Sequence, residues 1–177
     1  MKCLVLLSGC GLGDGSCVEE VILSYLALDQ LGCSYQPTAH SMVVPVVDHL
    51  TEKTGDKRDV LTESARIGRG IIKELDINLK EYDSLLIPGG IGLLKNYRDA
   101  KVVHASILSF LTCGKPIGTM CAGIDFLRML IDKTILHEEI KDISAKDFCC
   151  DYNKKVYYTP AFRKSGDLFE VKEGIDR

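Results

Sequence analysis

The sequence has no tryptophan, only 5 prolines and no Cys-x-x-Cys pair among its 8 cysteines. Without that pair, zinc-knuckle and dithiol readings lose their basis, and the adjacent Cys149 and Cys150 suit neither a metal site nor an easy disulfide. No basic cluster stands out. The 22 Lys and Arg face 25 Asp and Glu, for a formal charge of −3, which argues against nucleic-acid binding and polybasic attraction to a membrane. No apolar run approaches the roughly 20 residues that cross a bilayer. Nothing at the start reads as a secretory leader, so reduced thiols and a cytoplasmic location are expected. Repeats and low-complexity tracts are also missing, which excludes collagen-like, coiled-coil and disordered architectures.

What remains is an ordinary globular mixture, 46% hydrophobic and 27% charged over 177 residues. A chain of this size can bury a core unaided, and residues 1–177 are expected to form one domain. The run Lys2-Cys3-Leu4-Val5-Leu6-Leu7 reads as a buried strand that enters the glycine-rich turn Ser8 to Gly15. Asp14 and Ser16 are candidate N-caps for a helix that continues to Gly32. Strands are predicted at Ser34 to Ala39, Val43 to Val47, Ile71 to Leu75, Ser84 to Ile87 and Ile117 to Met120. A hairpin is predicted from Phe148–Asp151 and Val156–Thr159. Helical spacing recurs over Asp59 to Gly68, Ala100 to Cys113 and Ile124 to Ile131. Strands that alternate with helices imply an α/β fold with a mostly parallel sheet.

Ligands of such sheets bind beyond the carboxyl ends of the strands. Three glycine-bearing turns stand there: Ser8 to Gly15, Pro88-Gly89-Gly90 and Cys121-Ala122-Gly123. The stretch Gly118-Thr119-Met120-Cys121-Ala122-Gly123 has the form of a nucleophile elbow, a tight turn that thrusts a side chain out between strand and helix. A thiol at a helix N-terminus is expected to have a lowered pKa; a buried structural cysteine is the plainer alternative. Gly9-x-Gly11-x-Gly13-x-Gly15 lacks the spacing of a dinucleotide turn. The four histidines have no metal-ligand spacing, no Gly-x-Ser-x-Gly is present, and neither a metal nor a cofactor is expected. Glu20 alone reads as a solvated helix residue.

Several motifs together resemble the ElbB-like proteins: Ser8-Gly9-Cys10-Gly11 with Asp14-Gly15-Ser16, Ile87-Pro88-Gly89-Gly90 with Lys95-Asn96, Gly114-Lys115-Pro116-Ile117-Gly118, Thr159-Pro160-Ala161 and Gly174-Ile175-Asp176. These are isoprenoid-biosynthesis proteins with an amidotransferase-like domain. They lie in the PfpI-like superfamily, which includes the Parkinson's-associated deglycase and is distantly related to class I glutamine amidotransferases. The resemblance implies a flavodoxin-like three-layer sandwich, with Cys121 as nucleophile and Glu20 as the carboxyl that shares its proton. A protonated Glu20 would donate to the thiolate and lower its apparent pKa. The amides of Gly89, Gly90 and Ala122 are implied as oxyanion donors. The implied activity is a cofactor-free glyoxalase reaction on small aldehydes such as glyoxal or methylglyoxal, by a homodimer or larger oligomer. The rival is a regulatory member, sensing redox state or a metabolite and linked to isoprenoid metabolism, whose thiol is oxidised rather than turned over.

Departures from the family pattern bear on this. Ala122 stands where proteolytic members carry His, and His137-Glu138-Glu139 lies on the wrong element for an amidotransferase His-x-Glu. Cys17 replaces an acidic residue, and the stretches 96–107 and 128–147 look shorter than in typical members.

Overall fold

A computed structural model describes residues 1–75 and 78–177. In chain order the first half contains β1 (Lys2–Leu6), α1 (Val18–Gln30), β2 (Ser34–Ala39), β3 (Val43–Val47), β4 (Thr54–Asp59), α2 (Val60–Ile67) and β5 (Lys73–Glu74). The second half contains β6 (Ser84–Ile87), α3 (Gly92–Asn96), α4 (Lys101–Thr112), β7 (Ile117–Met120), α5 (Gly123–Leu130), β8 (Cys149–Asp151), β9 (Val156–Thr159) and α6 (Leu168–Asp176).

The main sheet has the order β5-β2-β1-β6-β7-β9-β8. All of its pairings are parallel except β8 with β9. Cys3 to Leu7 are all buried, as a strand covered on both faces requires. Helices flank the sheet, with α1 packed on α6 and α3 on α5. This is the α/β sandwich the alternation implies. From β1 the chain winds outward through β2 to β5, then restarts with β6 on the other side of β1. That reversal leaves a crevice at the carboxyl ends of β1 and β6, where doubly wound sheets bind ligands.

Some expectations shift. Val43–Val47 forms a strand, but in a separate ribbon with Thr54–Asp59, whose polar sequence carries no strand alternation. The strand expected over Ile71 to Leu75 contracts to two residues. Helix α6 starts where Asp167 accepts from the amides of Phe169 and Glu170. Only Val171 and Gly174 of it are buried, too few apolar positions to reveal its period. Neither Asp14 nor Ser16 caps α1, whose N-cap is Cys17 with no side-chain bond to the helix backbone. Both side chains serve the first loop instead: Asp14 accepts from the Val47 amide, and Ser16 Oγ accepts from the Ser8 amide at 2.9 Å.

That loop is clamped to the turn after β6. The amides of Cys17, Ile91 and Gly92 donate to Gly89, Leu12 and Gly15 carbonyls at 2.9, 2.8 and 3.0 Å. Gly90 sits at φ +121, and a Cβ there would strike the Gly15 carbonyl. Lys95 Nζ donates to the Gly13 carbonyl at 2.8 Å. The buried Asn96 amide group reaches Ser8 O at 2.9 Å and Asp14 O at 2.7 Å. Asn96→Ala strands both carbonyls and is expected to cost about 2 kcal/mol. Urea unfolding should show a lower midpoint with an unchanged slope; an unaltered midpoint would mean the clamp contributes nothing.

Candidate functional site

At the end of β7 the backbone turns sharply. Cys121 has φ +48, a conformation rare for a non-glycine residue and costly unless the surroundings impose it. They do. The Cys121 amide donates to Thr159 O on β9 at 3.3 Å, and Thr119 Oγ1 donates to Ile87 O on β6 at 3.0 Å. Helix α5 begins at Gly123, where a Cβ would collide with that Thr119 hydroxyl. Strand, elbow and helix thus lock together, leaving the Cys121 side chain half-buried beside the β6 turn.

The neighbour it meets is Glu20, which is fully buried on α1 rather than solvated. Glu20 Oε2 accepts from the Gly89 amide at 2.7 Å. A Cβ on Gly89 would lie 2.5 Å from that oxygen and 2.7 Å from Cys121 Cβ, so the bare glycine is what lets carboxyl and thiol flank one point. Glu20 Oε1 is buried with no hydrogen-bond partner among the described residues, and the Cys121 thiol beside the carboxyl lowers its pKa.

Burial pushes the Glu20 carboxyl up to about 7, against the opposing pull of the Gly89 amide and the Cys121 thiol. Burial and then the Glu20 charge raise the Cys121 thiol to about 11, against a lowering by Arg163 and the Ala122 amide. The expected lowering by the helix N-terminus is present in the Ala122 amide, but burial and the Glu20 charge outweigh it and the thiol is raised. Once the carboxyl has lost its proton, its negative charge holds the second proton on sulfur.

The three amides expected to face an oxyanion do not act together. The Gly89 amide is committed to Glu20, because a buried carboxylate needs a donor more than an empty space does. The Ala122 amide is turned toward the sulfur. Among the described residues the Gly90 amide donates to no protein oxygen. A side chain at Gly90 would hit backbone of the first loop rather than occupy an anion's place. Cys17 is buried, and its thiol donates to Glu19 Oε2 at 3.2 Å; burial, then Glu20, pushes it up.

One charged pair had no sequence signal beyond its place just after Thr159-Pro160-Ala161. Arg163 ends a single 3-10 turn, Ala161–Arg163, and pairs with Asp125 in the first turn of α5. His137 lies on the surface against Glu138. Among the described residues, no group of three or more His, Cys, Asp or Glu could hold a metal ion, and no helix is long and apolar enough to cross a membrane.

Residues 20–139 match the model of the DJ-1/PfpI family. The chain is 32% identical over 209 positions to human glutamine amidotransferase-like class 1 domain-containing protein 3, mitochondrial, covering 97% of this chain and 78% of that one. It is 29% identical to the rat mitochondrial ES1 protein homolog over 97% of this chain and 79% of the relative. Both alignments are longer than the 177 residues of the chain, so these relatives carry insertions that it lacks. Their mitochondrial names do not fit a plain cytoplasmic expectation. An isoprenoid biosynthesis protein with an amidotransferase-like domain from Ehrlichia chaffeensis superposes with a TM-score of 0.91 at 28% identity, covering 99% of this chain and 95% of that one. DJ-1beta of Drosophila melanogaster shares the fold at a TM-score of 0.56 and 15% identity, over 99% and 86% of the two chains.

The raised Glu20 carboxyl has a consequence for stability. A carboxyl whose folded pKa lies above its unfolded one favours the native state while protonated, and that contribution is lost as pH rises through about 7. Glu20→Gln, neutral throughout, should therefore match the native protein near the unfolded carboxyl pKa and be more stable above pH 7. The gain is on the order of 1–3 kcal/mol. Urea midpoints at acid and alkaline pH check this; a gap that does not widen with pH would show that the carboxyl is not raised.

Proposed function

The chain belongs to the DJ-1/PfpI family, and within it we propose that the protein is a cofactor-free glyoxalase-type enzyme with Cys121 as nucleophile, turning small α-oxoaldehydes such as glyoxal and methylglyoxal into hydroxy acids. The observation that carries the reading is the fully buried Glu20 carboxyl acting on the Cys121 thiol across the bare Gly89.

Glu20, ionised above about pH 7, takes the thiol proton as sulfur attacks the aldehyde carbon. The new C–S bond forms while the carbonyl electron pair moves to oxygen, for which the Gly90 amide, taken by no protein oxygen among the described residues, is the available donor. Return of the proton to that oxygen gives a hemithioacetal. Glu20 then removes the hydrogen from the former aldehyde carbon as a proton and returns it to the neighbouring carbon, while the hemithioacetal hydroxyl proton passes to the neighbouring carbonyl oxygen. One carbon is thereby oxidised to a thioester and the other reduced to a carbinol, with no external oxidant. Water cleaves the resulting thioester, releasing the hydroxy acid and restoring the thiol. The Gly89 amide keeps the carboxyl aimed at sulfur throughout.

One observation favours a regulatory thiol instead: Glu20, Arg163 and the Ala122 amide act on Cys121, and no histidine is among them. The two readings separate on lactate production from methylglyoxal. The native protein should form lactate well above background, Cys121→Ser none, and Glu20→Gln roughly a hundredfold less. Equal rates for the native protein and Cys121→Ser would refute the enzyme and leave the regulatory thiol.

A further inference from the structure

We propose that Arg163 is the anion-recognising group of the Cys121 site, so that the preferred electrophile is an α-oxoaldehyde that carries a carboxylate on the chain beyond its two carbonyl carbons. The inference rests on reading Cys121 as the reactive thiol and adds a substrate class to it.

Three placements carry it. Ala161 and Phe162 pack in one cluster with Met120 and Cys121, so the residue that follows them is brought to the rim of the elbow. The Arg163 side chain is fastened there by its ion pair with Asp125, in the first turn of the helix that begins two residues after Cys121. Both side chains are about one-third exposed, 35% and 37%. The guanidinium is thus anchored, yet open to solvent and to a ligand.

The chemistry follows from the donor set. A guanidinium offers five N–H donors in a planar fork, and a single carboxylate oxygen occupies few of them. The rest can meet a second carboxylate bidentately. A cation also sits poorly beside the positive end of a helix. Asp125 compensates for that, and the region keeps a potential that suits an anion. Its field reaches the reacting groups, since Arg163 lowers both the Glu20 carboxyl and the Cys121 thiol. A surface pair of this kind adds little to stability, so its position is better explained by what it faces. The hydroxy-acid product is itself a carboxylate and would be held by the same group.

Two alkylating reagents of similar shape and opposite charge character test this without any turnover. Iodoacetate is an anion and iodoacetamide is neutral, so the ratio of their rates at Cys121, read by site-resolved mass spectrometry, cancels changes in thiolate fraction. Arg163→Gln should lower the iodoacetate-to-iodoacetamide ratio about three- to tenfold, and about 0.5 M salt should shrink that difference. Arg163→Lys should retain most of the ratio, and Asp125→Asn should raise it. Lactate should slow iodoacetamide labelling of the native protein and not of Arg163→Gln. An unchanged ratio in Arg163→Gln overturns the assignment; so does an equal fall in the Gln and Lys variants, which would make shape rather than charge responsible. Failure of both reagents to label Cys121 in the native protein would instead overturn the reading of Cys121 as the reactive thiol.

Discussion

The hydrogen bond from the Gly89 amide to the Glu20 carboxyl joins the three parts on which the site depends. It runs from the turn after β6 to the buried face of α1, and the Cys121 elbow closes on the same point. A carboxyl with no solvent and one backbone donor is under-solvated, and its pKa rises accordingly. The sulfur beside it inherits that imbalance. Neither group can be moved alone, because Gly89 is the spacer between them and even a methyl group there would overlap both.

The rest of the architecture holds that spacer still. Chain reversal at β1 brings the first loop alongside the β6 turn, and backbone bonds zip the two together. Asn96 and Lys95 then bond the carbonyls of the first loop. The Ser8 and Ser16 side chains pack into the same knot, with both residues buried. Few of these contacts are apolar. The sheet core supplies cohesion through buried β1 and its neighbours, whereas polar bonds to backbone set the shape at the carboxyl ends of the strands.

Much of the fold and part of the site are legible in the amino-acid sequence itself. The strand at Cys3 to Leu7 reads from its unbroken apolar run, and the elbow from glycines flanking Cys121. Glu20 is not legible from its own neighbourhood. A helix carrying Glu19 and Glu20 together looks solvated, and only the family resemblance singles one of them out. The glycines are hard to tell apart by sequence: Gly89 and Gly90 look alike in a Pro-Gly-Gly turn, yet one makes room for the carboxyl and the other for backbone. Asp14 and Ser16 look like helix caps because capping and loop bonding use the same side-chain oxygens. Arg163 gives no local signal because its importance comes from a tertiary pairing across 38 residues.

The central claim is that Glu20 and Cys121 behave as one titrating unit that carries two protons in acid and one between about pH 7 and about pH 11. The most direct measurement is the pH dependence of iodoacetamide labelling at Cys121, resolved by mass spectrometry, in the native protein and in Glu20→Gln. The native profile should rise through an inflection near pH 7, where the carboxyl gives up its proton, and rise again toward about 11. The variant should lose the lower inflection and keep a single one, shifted below that of the native thiol because the carboxylate charge is gone. Superimposable profiles in the two proteins would show that Glu20 does not share the proton.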